Sequence, residues 1–235
     1  MSRFYNEYAP KSLCDVVFKN PQTVSLFKSI ANGDVSTNLL LFGPNGTGKT
    51  AIAKLITELY YSTRDESNWT TFVDLTSTTD LTFLRDSMKR SPTGLTDRWW
   101  FILDEGDKIQ TSKSTQLLNE LHNIIGKYSH CHFIITTNSL GHMPAGIQSR
   151  CYTIAMDPPS PEQFLHRAKD IVNAEGKFAT DKEILEWLSM GKEDIRQYLT
   201  ILEMQLSLCP KQVKPQLDLI STARAPTASV AQITP

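Results

Sequence analysis

The sequence has no apolar run of about 18 residues, the length a membrane-spanning helix needs, so no membrane association is expected. Its start, MSRFYNEYAP, lacks the apolar stretch of a secretion signal. There are only four cysteines, Cys14, Cys131, Cys151 and Cys209, and no pair is spaced C-x-x-C. That excludes a zinc ribbon or a dithiol redox pair and fits a reducing compartment. Charge of one sign is also lacking: 24 Lys and Arg face 25 Asp and Glu, a formal net charge of −1. No global basic field advertises nucleic acid, so such a contact would need a local patch or a ring of subunits. No internal repeat is found.

What is present is patterned. Short apolar runs at 38–42 (NLLLF), 70–75 (TTFVDL), 98–103 (RWWFIL), 131–137 (CHFIITT) and 151–155 read as strands. Between them, 49–60, 80–90 and 112–125 carry helical spacing, with a turn at Ser91-Pro92-Thr93-Gly94. Strands alternating with helices predict an α/β fold, a parallel sheet with helices on both faces. The prolines of DPPSP (157–161) break the pattern. After them only helices are expected, over 161–174, 181–189 and 192–206. The division predicted is a nucleotide-binding core over 1–157, a small all-α lid over 158–208 and a weakly ordered tail over 209–235, where Pro, Ser, Thr and Ala dominate.

Gly43-Pro44-Asn45-Gly46-Thr47-Gly48-Lys49-Thr50 fits G-x-x-x-x-G-K-[ST] between a strand and a helix. Glycines let the backbone curl so that successive N–H groups, with the helix start at Gly48–Ala51, face phosphate oxygens. Lys49 sets a charge against the β- and γ-phosphates, and Thr50 offers a hydroxyl to Mg²⁺. Asp104 and Glu105 end the third strand, where ligands of open parallel sheets sit. Asp104 fits the Mg²⁺ ligand and Glu105 the base that polarises water. Asp107 reads as a helix-capping or structural acid. Asn138, closing the fourth strand, reads either as a turn residue or as an amide that orients water or senses the γ-phosphate.

The order of these parts, phosphate loop, acid pair, Asn and helical lid, resembles the AAA+ ATPases, and more finely the clamp-loader subunits of replication factor C and bacteriophage types. YAPKSLCDVV (8–17), LLLFGPNGTGKT, TTNSLGHMPAGIQSRC (136–151) and KEDIRQYLTILE (192–203) carry the resemblance, which spans residues 5–205. It implies that Tyr8, Pro10, Val16 and Val17 line an adenine pocket. It implies that Arg150 of Ser-Arg-Cys is a finger acting in trans on a neighbour's γ-phosphate, that Arg196 is a lid arginine acting in cis, and that Cys151 is buried and structural. Ala9 stands where the family has a basic residue, and His122, Asn123 and Gly126 where it often has arginines and a glutamate. Arg85, with Lys89 and Arg90, matches a basic position. No guanine-reading Asn-Lys-x-Asp occurs.

What the resemblance implies is an ATPase using ATP and Mg²⁺ at subunit junctions, with other AAA+ subunits, a sliding clamp and primer-template DNA as partners, in DNA replication. The expected location is the cytoplasm of a bacterial or phage-infected cell, or a nucleus. The family's third, collar-forming helical domain is not expected within 235 residues. Another AAA+ remodeller acting on protein or DNA junctions, or a nucleotide-dependent scaffold subunit, are the alternatives.

Overall fold

A computed structural model of the chain describes residues 2–75, 81–89 (of 81–83 and 85 the backbone only), 98–108, 121, 123–125 and 127–208. Five strands, β1 (Leu39–Phe42), β2 (Thr70–Asp74), β3 (Trp99–Asp104), β4 (Cys131–Thr137) and β5 (Tyr152–Ala155), form one sheet in the order β2-β3-β4-β1-β5. Every pairing is parallel, with Leu39 opposite both Ile134 and Tyr152 and Phe101 opposite Phe133.

The two-residue period of a strand sends alternate side chains to opposite faces, and here both faces are covered. Trp99, Phe101 and Leu103 of β3 join Phe133 and Ile135 of β4 in one apolar cluster. Leu84 and Met88 of α4 (Leu81–Lys89), Leu121, Ile124 and Ile125 complete it. Trp100 and Ile102 join Ile134, Leu39 and Leu41 on the other face, under α2 (Gln22–Ala31) and α3 (Lys49–Ser62). Strands buried on both sides read as continuous apolar runs, which is why LLLF and WWFIL stand out. The expected doubly covered parallel sheet is observed.

The short α5 (Ala145–Gln148) follows β4. After β5 come α6 (Pro161–Ala174), α7 (Asp181–Ser189) and α8 (Ile195–Leu208). Their starts are written locally. Ser160 with Gln163, and Thr180 with Glu183, are capping boxes that satisfy otherwise free N–H groups, and Pro161 sits in the first turn of α6. Phe164, Ile171, Ile184, Leu188, Tyr198 and Leu202 form a third core.

Four expectations need correcting or completing. The sequence reading places no element before residue 38, yet α1 (Arg3–Glu7) and α2 are helical. Helix α1, five residues long, carries no periodic signal, and it packs on α8 through Phe4, 1 % exposed in the third core. The last helix starts at Ile195, not at 192: Glu193 has φ +45°, outside the helical range, and the Asp194 carboxylate receives the Arg196 N–H at 2.7 Å. Cys151 is half-buried against the first cluster rather than buried. Most of the expected 112–125 helix, the 91–94 turn, His122, Gly126, Arg90, the Arg85 side chain and the 209–235 tail lie outside the described residues. Lys89 pairs with Asp86 at 3.2 Å on the surface. No described helix is long and apolar enough to cross a membrane.

Candidate functional site

The site lies beyond the carboxyl ends of β1, β3 and β4, where a cavity of about 450 Å³ opens under α8. The phosphate-loop segment Asn45–Ala51 lines one wall; Asp104, Glu105, Thr137 and Asn138 line the floor. Tyr8, Pro10, Val16 and Val17 line the opposite wall, and Arg196 comes from α8. Fifteen of the eighteen residues the sequence points to line this cavity. Of the other three, Gly43 and Pro44 stand behind the loop with their carbonyls on Lys49, and Arg150 is elsewhere.

Strand parity explains the floor. Asp104 shares its face with Trp100 and Ile102, the α3 side of the sheet, so its carboxylate meets the first turn of α3. Thr50 Oγ1 donates to Asp104 Oδ1 at 2.8 Å. Thr136, two residues beyond Ile134 on that face of β4, donates to the same oxygen at 2.5 Å and accepts the Glu105 N–H at 3.1 Å. Glu105 has φ +59°, a left-handed backbone that costs a non-glycine residue roughly 1–3 kcal/mol. Its carboxylate pairs with Lys108 at 2.5 Å.

Helix α3 starts at Gly48, φ +84°, whose missing side chain leaves the helix without a side-chain cap. Its first N–H groups are thus directed into the cavity, together with the positive end of the helix dipole. Lys49 is 8 % exposed. Its Nζ donates to the Gly43 and Pro44 carbonyls, each at 2.7 Å, and to Asn138 Oδ1 at 3.0 Å. Burial lowers its pKa to about 8; Asp107 opposes the shift and Arg196 adds to it. The donor set suits a polyphosphate. Thr50 and Asp104, a hydroxyl and a carboxylate in contact, are the hard oxygen ligands Mg²⁺ takes alongside phosphates.

Tyr8 donates to Glu175 at 2.7 Å, and burial followed by this carboxylate pushes its pKa up to about 12. Arg167 of α6 holds the segment's backbone at Tyr8 O (3.3 Å) and pairs with Asp15 (3.2 Å). Arg196 is exposed and lies 5.6 Å from the Tyr5 ring centroid. Tyr5, Arg167 and Thr136 were not singled out in the sequence: their partners are 159, 152 and 32 residues away for Arg167 and Thr136, and no local pattern marks such pairs. Asp107, which reads as a helix-capping or structural acid, accepts two hydrogen bonds from Asn138, considered below.

Arg150 is exposed and does not line this cavity. It stands at the amino end of β5, the opposite sheet edge, with Nη1 on the Gly146 carbonyl at 3.0 Å and its own carbonyl on Asn38 Nδ2 at 3.4 Å.

Comparison with known proteins is consistent with this geometry. The ATPase family associated with various cellular activities (AAA) matches residues 39–157, half of the chain. Replication factor C subunit 4 of Encephalitozoon cuniculi is 28 % identical over 214 residues, 86 % of this chain and 64 % of that one. Replication factor C small subunit 2 of Pyrobaculum islandicum is 25 % identical over 205 residues, 86 % of this chain and 62 % of that one. The chain therefore spans less than two thirds of the length of these relatives. Among solved structures, the Thermotoga maritima RuvB Holliday junction branch migration motor superposes with a TM-score of 0.63 at 14 % identity, over 83 % of this chain and 64 % of that one; at that identity the likeness is one of fold.

Proposed function

The chain belongs to the AAA family of ATPases, and on that premise we propose that it is a clamp-loader-type subunit that hydrolyses ATP at subunit junctions to place a sliding clamp on primed DNA. The observation that carries the reading is the division of the machinery. Lys49, Thr50, Asp104, Glu105, Asn138 and Arg196 surround one cavity, whereas Arg150 stands exposed at the far edge of the sheet. The similarity to replication factor C subunits supports the substrate and partners.

In this reading the adenine lies between Tyr8, Pro10, Val16 and Val17, and the triphosphate over the N–H groups of 45–51. Lys49 transfers its hydrogen bonds from the Gly43 and Pro44 carbonyls to phosphate oxygens, at little reorganisation because the donor is already at the loop. Thr50 and Asp104 would hold Mg²⁺, which when bound would supply positive charge against the phosphates. Glu105 turns from Lys108 to accept a proton from the attacking water as its oxygen bonds to the γ-phosphorus. The bond from that phosphorus to the β-bridging oxygen breaks, leaving ADP and phosphate. Asn138 and Arg196 hold the γ-phosphate from the floor and the lid. A neighbouring subunit's Arg150 neutralises the charge that builds up there. The core, lid and tail divide at about 157 and 208.

The test is steady-state ATPase of wild type and Arg150→Ala over a range of protein concentration, with and without primed DNA and a sliding clamp. Activity rising more than linearly with concentration, stimulated by DNA and clamp together, and reduced about 1,000-fold or more in the variant is expected. Activity linear in concentration and indifferent to DNA, clamp and Arg150 would leave an AAA ATPase with a different task.

A further inference from the structure

We infer that Asp107 is a positioning residue: its carboxylate sets the orientation of the Asn138 amide and, through it, holds Lys49 toward the terminal phosphate. The inference rests on the nucleotide reading given above and assigns the site one more member.

The geometry is a relay of three side chains from three elements. Asp107 lies in the 3₁₀ turn Gly106–Lys108 that follows β3. One of its oxygens, Oδ1, accepts the Asn138 backbone N–H at 2.8 Å and the Thr137 hydroxyl at 3.3 Å. The other, Oδ2, accepts the Asn138 amide Nδ2 at 3.0 Å. Asn138 Oδ1 in turn accepts Lys49 Nζ at 3.0 Å.

The chemistry at each end fixes the amide. The two ends of an asparagine amide have nearly the same shape and differ in what they can bond. A carboxylate only accepts, so the NH₂ must face Asp107. An ammonium only donates, so the carbonyl oxygen must face Lys49. Turning the amide over would set oxygen against oxygen and nitrogen against nitrogen at once. With Asp107 present both ends of the amide favour the same orientation; without it only Lys49 does, and the NH₂ end loses its fixed partner. The backbone bond adds a second restraint, since it pins the end of β4 to the turn that follows the Asp104–Glu105 pair.

Electrostatics run the same way. Burial opposes ionisation of Asp107, but the N–H groups of Asn138 and the Thr137 hydroxyl outweigh it and keep its pKa below the ordinary value. It stays an anion at neutral pH. Of the groups that favour the charged form of Lys49, Asp107 is the strongest, ahead of Asp104 and Glu105. The turn acid thus orients one phosphate-sensing group and supports the charge of another without lining the cavity itself.

Asp107→Asn, Asn138→Ala and the double variant test this, with two measurements. The first is the kcat and KM of ATP hydrolysis under the conditions in which wild type is most active. Asp107→Asn is expected to lower kcat about ten- to a hundredfold, the loss typical of a charge-assisted hydrogen bond at a reacting group. ADP affinity and Tm should stay near wild type. In the Asn138→Ala background the same change should have little further effect, because a residue acting through Asn138 has nothing left to position. Equal losses in both backgrounds, or a fall in Tm that matches the loss of activity, would overturn the inference and leave a stabilising acid. The second measurement needs no nucleotide: the Asn138 side-chain amide resonances of the ¹⁵N-labelled chain, assigned by their loss in Asn138→Ala. Wild type should show one dispersed, slowly exchanging NH₂ pair that moves toward solvent-exposed shifts and exchange in Asp107→Asn; an unchanged pair also overturns the inference. Such a change in a chain that binds no ATP would instead keep the relay and sink the nucleotide reading.

Discussion

Lys49 is a cation in a place that disfavours cations. Its ammonium is almost enclosed, its partners are two carbonyls and an amide oxygen, and burial draws its pKa down to about 8 from 10.5. The sign of the consequence is fixed. The unfolded chain holds this proton up to the higher value and the folded one gives it up earlier, so the fold gains stability as pH rises from 8 toward 10.5. Phosphate binding needs the opposite state, the charged one. ATP affinity is therefore expected to hold steady below pH 8 and to weaken above it, by at most about tenfold per pH unit. Titrating a fluorescent ATP analogue from pH 7 to 9.5 checks this, with Tm followed in parallel without ligand. A dissociation constant flat across that range would remove Lys49 from the phosphates. The residue was visible in the sequence because Gly-Lys-Thr after a strand is a local pattern. The pairing behind it is not legible there: Asp107 and Asn138 are 31 positions apart, and only the β3–β4 register brings them together.

At the scale of elements, the start of α8 meets the phosphate loop directly. The Ile195 N–H donates to the Gly46 carbonyl at 3.1 Å, so the start of the last helix is hydrogen-bonded to the loop itself. Gly46 has φ +79°, and a Cβ there would run into the Asp194 carboxylate. Gly46→Ala therefore meets two costs. The left-handed backbone costs about 1–2 kcal/mol, and the collision displaces the carboxylate that caps α8. We expect urea unfolding to show a loss of roughly 2–3 kcal/mol, together with weaker ATP binding as the lid lifts. Asp194→Ser in the same chain should recover the collision and not the backbone cost, since serine still caps and is shorter. If the double variant is no more stable than Gly46→Ala, the loop and lid are not in contact in solution. Elements were legible to the extent that their signals are local. The strands are apolar on both faces, and α6 and α7 announce themselves with capping boxes. Helix α2 carries an apolar face in Val24, Phe27, Ile30 and Ala31, but no motif accompanies it. The start of α8 was placed three residues early because Lys192 and Glu193 are good helix formers, and only the backbone turn at Glu193 stops them.

At the scale of the molecule, the sheet separates the cavity from Arg150. Its carboxyl edge carries the cavity; the segment entering β5 at the amino edge carries Arg150. Asn38 holds that segment in place, with its Oδ1 on the Phe133 N–H at 3.0 Å and its Nδ2 on the Arg150 carbonyl. Arg150 so held lies outside its own chain's cavity, and under the proposed function its recipient is a neighbour. If copies of this chain pair in that way, a Lys49→Ala subunit lacks a phosphate site but can still offer Arg150, while an Arg150→Ala subunit has a phosphate site and no finger to offer. Neither variant alone should hydrolyse ATP. Mixed in equal amounts, random assembly puts an intact loop against an intact finger at roughly one junction in four, so about a quarter of wild-type activity should return. The recovery should grow with the time allowed for subunits to exchange. Mixtures that stay inactive while wild type works would mean that the finger acts within one chain or that another protein supplies the facing surface, and purification of the active assembly would then distinguish the two.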